Sequence, residues 1–258
     1  MRDYAQSVLG HDMPDELQRL RLLESFTDPV TAPILESLEV GSTWQCLDVG
    51  AGAGSVARRL ASLAADGTVI ATDVDIRFLP TDIHNLKPTA HDITVDEFPP
   101  AVFDLVHSRL VLEYLPARDE ILRRMAGWLA PGGWLCLGSL DISEGLSSPF
   151  PPVRAAMTSL AEAMRAHLGA DIGYGRRATG AMRELGLREV TLTGTPFVLG
   201  DGGAGDRFFG AMLNRFQPLL RASGHVAAAD DMAKGIDWLA QPSGIDFGGI
   251  LMTTVGRR

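Results

Sequence analysis

The chain has 258 residues, 46% of them apolar, enough to bury the core of one large α/β domain or of one domain carrying an inserted cap. A formal charge of −9 without any run of Lys or Arg argues against a nucleic-acid groove or an anionic membrane face as partner, because both need clustered positive charge. No apolar run approaches membrane-spanning length, and the N-terminus shows no apolar segment with a small-residue cleavage site, so a cytoplasmic location is expected.

Residues 1–40 read as helical, with Asp15 as a helix cap and Pro29 and Pro33 breaking the segment into two or more short helices. WQCLDVG is a short apolar run ending at Gly50 and reads as a buried strand. SVARRLASLAA follows as a helix with Val56, Leu60 and Leu63 on one face. TVIATDVD is a second strand, and a weaker third is expected around TAHDI. FDLVHSRLVL begins as a fourth strand. LPARDEILRRMAGWLAPGG is then a helix through Ile121, Leu122, Met125 and Leu129, stopped by Pro131.

WLCLGSLD is the fifth strand. Alternating strands and helices predict a doubly wound, mostly parallel sheet, which with EVTLTGTPFVL and GGILMTTVG reaches seven strands. Two stretches depart from simple alternation, a helix over 151–169 and a pair of helices within 206–240; between them lie a helix near 176–186 and the strand EVTLTGTPFVL. The expected organisation is one domain over 1–258, with an N-terminal helical cap (1–40), a core (44–141) and helical lid segments (142–170 and 201–244). Cys46 and Cys136 each sit in an apolar strand-like run and read as buried free thiols.

The stretch CLDVGAGAGSVARRLA places Gly50, Gly52 and Gly54 between a strand and a helix. Such a turn lets backbone amides approach a ligand at the helix N-terminus. Asp73 ends the next strand, where a carboxylate can meet ribose hydroxyls; its plainer role is a turn residue. These residues point to an adenosine-type cofactor and leave two rivals, a dinucleotide and S-adenosylmethionine.

The ordered series Asp48-x-Gly50-x-Gly52-x-Gly54, ATD ending at Asp73, HDI at 91–93, FDLVHSRLVLEYL at 103–115 and LAPGGWL at 129–135 resembles the motifs of class I S-adenosylmethionine-dependent methyltransferases. ELQRL and GADIGYGRR are more loosely similar to actinobacterial small-molecule, natural-product methyltransferases. The resemblance implies a Rossmann-like fold with helical cap insertions and S-adenosylmethionine as cofactor. Gly50, Ala51 and Gly52 would then pass close to the cofactor's amino-acid part, with Asp48 ordering the turn. Asp73 would bind the ribose hydroxyls and Val74 would pack on the adenine. Asp92 would accept from the adenine amino group, beside the amide of Ile93. His107 would line the methionine part by its backbone, and Arg19 would reach the cofactor carboxylate.

Methyl transfer is an in-line displacement, so alignment is the main demand, and a base helps where the nucleophile arrives protonated. Glu113 and Tyr114 follow strand four where the resembled family often shows two histidines. Glu113 is a base candidate or else a solvated helix residue. Asp141 at the end of strand five is the second candidate, or else a turn cap. A metal-assisted reaction would want an acid just after strand four, where Ser108 and Arg109 stand, so no metal is expected. Phe208, Phe209, Met212 and Phe216 form a core-facing stripe or part of an apolar lid, with GDGGAGD at 200–206 as its hinge.

The expected function is methylation of a small, apolar or aromatic molecule, at oxygen ahead of nitrogen or carbon. The other readings are a cyclase on the same fold, an NAD-dependent oxidoreductase and a non-catalytic subunit. The oligomeric state stays open, a homodimer included.

Overall fold

The computed structural model describes residues 8–10 and 12–258; the remainder of the expected N-terminal cap, residues 1–7 and 11, lies outside the described residues. In chain order the elements are α1 (Glu16–Ser37), β1 (Gln45–Val49), α2 (Ser55–Leu63), β2 (Thr68–Asp73), β3 (Leu86–Ala90), β4 (Phe103–Arg109), α3 (Arg118–Trp128) and β5 (Leu129–Asp141). They continue with α4 (Ser143–Leu146), α5 (Pro151–Leu168), α6 (Tyr174–Glu184), β6 (Arg188–Leu199), α7 (Ala204–Ala222), α8 (Val226–Ala240) and β7 (Asp246–Arg257). A single 3-10 turn, Leu112–Tyr114, follows β4.

The seven strands form one sheet in the order β3-β2-β1-β4-β5-β7-β6. In that order, each strand from β3 through β2, β1 and β4 to β5 is parallel to the next. β7 runs the other way beside β5: Arg258 exchanges backbone hydrogen bonds with Gly132 and Gly133 near the start of β5, while Gly249 abuts Asp141 at its end. The fold is thus the expected Rossmann-like α/β arrangement, mostly parallel.

By its contacts the chain divides into two compact units. One, the sheet unit, comprises Thr27–Ser139, Gly173–Gly194 and Met252–Arg258. Its central strands are buried on both faces, which is why β1 and β4 read as near-continuous apolar runs. On one face Leu47, Val49, Val106 and Leu135 pack with Ile121, Leu122 and Met125 of α3 and Met182 of α6. On the other, Cys46, Leu105 and Cys136 pack with Leu60 of α2 and Leu35 of α1. Burial pushes both thiols up to about 12, so they are inert hydrophobes at neutral pH.

The other, helical unit comprises the chain up to Phe26, Leu140–Ile172 and Thr195–Leu251. In it α5, α7 and α8 pack on one another. The α7 stripe is a core face: Phe208, Phe209, Met212 and Phe216 are all buried, and Phe208 stacks on Phe26 with centroids 5.4 Å apart. The GDGGAGD loop is tied down. Both carboxylate oxygens of Asp206 accept backbone amides, from Gly200 and Gly202, each at 2.7 Å.

Three local expectations are corrected. α1 continues through Pro29 and Pro33 as one 22-residue helix. The missing proline N–H groups cost two hydrogen bonds, but Thr31 Oγ1 bonds back to Thr27 O, and Asp28 and Thr31 both receive Arg109. Tertiary anchoring outweighs the break. The third strand lies earlier than expected, at Leu86–Ala90, and includes Pro88, which an edge strand tolerates because one row of its N–H groups is unpaired. Finally, α3 ends at Trp128 and Pro131 lies inside β5, where the register with β4 shifts between Phe103 and Leu105.

Candidate functional site

The glycine turn leaves β1 at its carboxyl end. Gly50, Gly52 and Gly54 all have positive φ, at 68°, 58° and 84°, a region in which a Cβ is strained. Gly50 is also sterically obligatory: a Cβ there would overlap Val111 Cγ2. The turn is pinned from both neighbouring strands. Ala51 N donates to Thr72 O at 2.8 Å, Thr72 Oγ1 donates to Asp48 O, and Ser108 Oγ donates to Val49 O.

Asp73 stands where expected, at the end of β2, and already serves the turn: its Oδ2 accepts from Gly52 N at 2.9 Å. The next residue, Val74, is 44% exposed, an apolar side chain held open beside a carboxylate. That pairing fits a ribose and an adenine ring. Asp92 opens a tight turn, its Oδ1 accepting from Thr94 N and Oγ1, while Ile93 is buried. The structure thus keeps Gly50, Ala51, Gly52, Asp73 and Val74 together around one turn.

His107 does not end its strand. β4 runs on to Arg109, and the His107 backbone is paired with Asp48 of β1 on one side and Cys136 of β5 on the other. Its side chain carries the interest: Nδ1 lies 2.7 Å from Asp48 Oδ1, with both side chains 1–3% exposed. Asp48 Oδ2 and His107 Nε2 have no hydrogen-bond partner among the described residues although both are buried. A buried acid–imidazole pair with one unused atom on each member therefore sits two residues below Gly50.

A shallow recess opens at the carboxyl ends of β4 and β5, lined by Ser108, Val111, Glu113, Gly138, Ser139 and Tyr174 among others. Val111 is shared, forming a wall of the recess and pressing on the glycine turn. Leu110, just before it, has a φ of 57°, a strained value for a leucine that turns the chain sharply out of the strand. Glu113 is not a solvated helix residue: it is 7% exposed, in the 3-10 turn. Tyr114 is the next residue of that turn and is not part of the recess lining.

The remaining candidates lie in the helical unit. Asp141, at the end of β5, is buried and caps a turn, its Oδ1 accepting from Ser143 N at 2.8 Å. Arg19 is buried and grips Glu16 with Nε and Nη2, at 3.0 and 2.6 Å. Tyr174 and Ser139 went unassigned in the sequence. The signal for Tyr174 was present in GADIGYGRR, but nothing local to it indicates that its ring reaches the end of β4.

Residues 47–135 match the family described as "Methyltransferase domain". Two curated methyltransferases of the fungus Strobilurus tenacellus are similar. Str2 is 33% identical over 63% of this chain and 62% of its own length. Str3 is 32% identical over 67% and 64%. The chain thus spans just under two thirds of the length of these relatives. Among solved structures, phosphoethanolamine N-methyltransferase 2 of Haemonchus contortus, in complex with S-adenosylhomocysteine, shares the fold: 17% identity, a TM-score of 0.54, and coverage of 93% of this chain and 52% of that one.

Proposed function

We propose that this chain is a class I S-adenosylmethionine-dependent methyltransferase that transfers the methyl group of that cofactor to a small, apolar or aromatic molecule, at oxygen. The observation that carries the reading is the glycine turn held by Asp73 and flanked by a narrow recess of mixed lining at the adjoining strand ends. Open α/β sheets bind ligands at that edge.

In this reading Gly50, Ala51 and Gly52 face the amino-acid part of the cofactor, Asp73 the ribose, and Val74, Asp92 and Ile93 the adenine. Asp48 supports the turn from below, and His107 contributes by holding Asp48. When bound, the cofactor supplies an electrophilic methyl group on a sulfonium. The chain's own task is then to align the acceptor, exclude water and receive a proton. Alignment alone can supply up to about 7–11 kcal/mol, and a positioned base about two to four further orders of magnitude. Glu113, buried at the end of β4, is the base we favour over Tyr114 and Asp141.

The test is calorimetric. Asp73→Ala is expected to lower S-adenosylhomocysteine affinity by roughly 100-fold, the loss of a charged hydrogen-bonding group worth about 2–3 kcal/mol. Unchanged affinity would sink the assignment of the cofactor site. Tighter binding of NAD than of S-adenosylmethionine would instead favour an oxidoreductase. Turnover of a substrate without S-adenosylhomocysteine formation would favour a cyclase.

A further inference from the structure

Tyr174 opens α6 and is buried at 2% exposure, yet its hydroxyl has no hydrogen-bond partner among the described residues. Such a group is expensive, about 1–3 kcal/mol where it stays unsatisfied, and phenylalanine would fill the same volume without that cost. The ring is fixed from several sides. It belongs to the core cluster with Val49, Phe103 and Leu112, and the guanidinium groups of Arg118 and Arg177 each lie 5.9 Å from its centroid. Gly175 lets the start of α6 approach β5 closely: a Cβ there would stand 2.7 Å from Ser139 Cβ. Tyr174 thereby lines the narrow recess that Glu113 and Ser139 also line and that shares Val111 with the glycine turn.

We infer that Tyr174 Oη donates the hydrogen bond that seats the substrate's acceptor hydroxyl in this recess, and that it selects oxygen over nitrogen as the methylated atom. The inference rests on the methyltransferase reading and adds to it the side chain that selects a hydroxyl as the acceptor. A phenol donor and a carboxylate acceptor are together complementary to one hydroxyl group: Tyr174 gives a proton to its oxygen, and Glu113 takes the proton that the oxygen carries.

The lone-pair count separates the candidates. A neutral amine has one lone pair, and a hydrogen bond from Tyr174 would consume the electrons needed for attack. A hydroxyl oxygen has two, so one accepts from Tyr174 while the other forms the new bond to the methyl carbon. The carbon–sulfur bond breaks with its electron pair passing to sulfur, the sulfonium becomes a neutral thioether, and the hydroxyl proton ends on Glu113. A carbon nucleophile matches neither group. Burial, with Asp119 adding to it, holds the Tyr174 phenol above its ordinary value of 10, so it remains a donor throughout the physiological range.

Phenol and aniline are the probes, titrated calorimetrically into the full chain in the presence and absence of S-adenosylhomocysteine. The wild type should bind phenol more tightly than aniline. Tyr174→Phe should weaken phenol binding about tenfold, the worth of one hydrogen bond. The same change should leave aniline affinity, S-adenosylhomocysteine affinity and the melting temperature unchanged or, for the last, slightly raised. An equal loss for both probes, no loss for phenol, or no saturable phenol binding to the wild type would overturn the inference. A wild type that prefers phenol but does not bind S-adenosylhomocysteine would leave Tyr174's role standing and defeat the methyltransferase reading.

Discussion

Two buried polar groups, one in each unit, differ in how completely they are satisfied. In the helical unit Glu16 is fully buried and saturated. Arg19 takes both its oxygens, Arg215 adds a further ion pair, and Arg215 reaches Asp15 at 2.6 Å. In the sheet unit the Asp48–His107 pair leaves one carboxylate oxygen and one ring nitrogen unused, and Tyr174 leaves its hydroxyl. Native structures pair nearly all buried polar atoms, so a saturated cluster reads as architecture and leftover buried atoms point to function. Arg19, expected from the sequence to serve the cofactor, is in the saturated group.

Glu16→Ala should produce the largest loss of stability, about 3–5 kcal/mol, because it strands buried guanidinium charge. A urea midpoint measures it. S-adenosylhomocysteine affinity of the folded fraction should not change; a large drop would return Arg19 to the cofactor and collapse the contrast between the two groups.

Gly50→Ala should follow, at about 2–4 kcal/mol, from the positive φ and the overlap with Val111 together. Adding Val111→Ala should recover the steric part and leave the backbone part, which the double variant's midpoint separates.

His107→Leu comes next, at about 2 kcal/mol, since it leaves Asp48 buried without its partner. Here S-adenosylhomocysteine affinity should fall as well, by roughly tenfold. A stability loss with intact affinity would make this pair as purely architectural as the Glu16 group.

The smallest effect belongs to His91, which stacks on Phe98 with centroids 4.7 Å apart and has no partner on either ring nitrogen. Burial lowers its pKa from the ordinary 6.5, and Arg124 adds to that, against the opposing pull of Asp96, Asp92 and Glu97. The unfolded chain therefore binds a proton more readily, and stability present above pH 6.5 is lost as the pH falls below it towards the folded value. His91→Phe should flatten urea stability between pH 6.5 and 5 and raise it by under about 1 kcal/mol at neutral pH. A slope unchanged from wild type would assign the acid loss elsewhere.

The contrast between local and distant contacts also explains what could be read in advance. β1, the glycine turn, α2 and Asp73 lie within one βαβ unit, where apolar runs, glycines and an acid at the next strand's end are set by neighbours in sequence. The two prolines of α1 and Pro88 of β3 obeyed a different rule. Each carries a local penalty, and anchoring by Arg109 or an edge position outweighs it.

Sequence by itself determined the glycine-rich strand–turn–helix and the carboxylate that closes it, because those features need only short-range geometry. Tertiary structure alone decided that Glu113 is buried, that His107 holds Asp48 inside the sheet, and that Tyr174 joins Glu113 at the ends of β4 and β5. Those residues are spread along the chain: the pairing of β1 with β4 joins Asp48 to His107, and the close approach of α6 to β5 brings Tyr174 to the recess that Glu113 also lines.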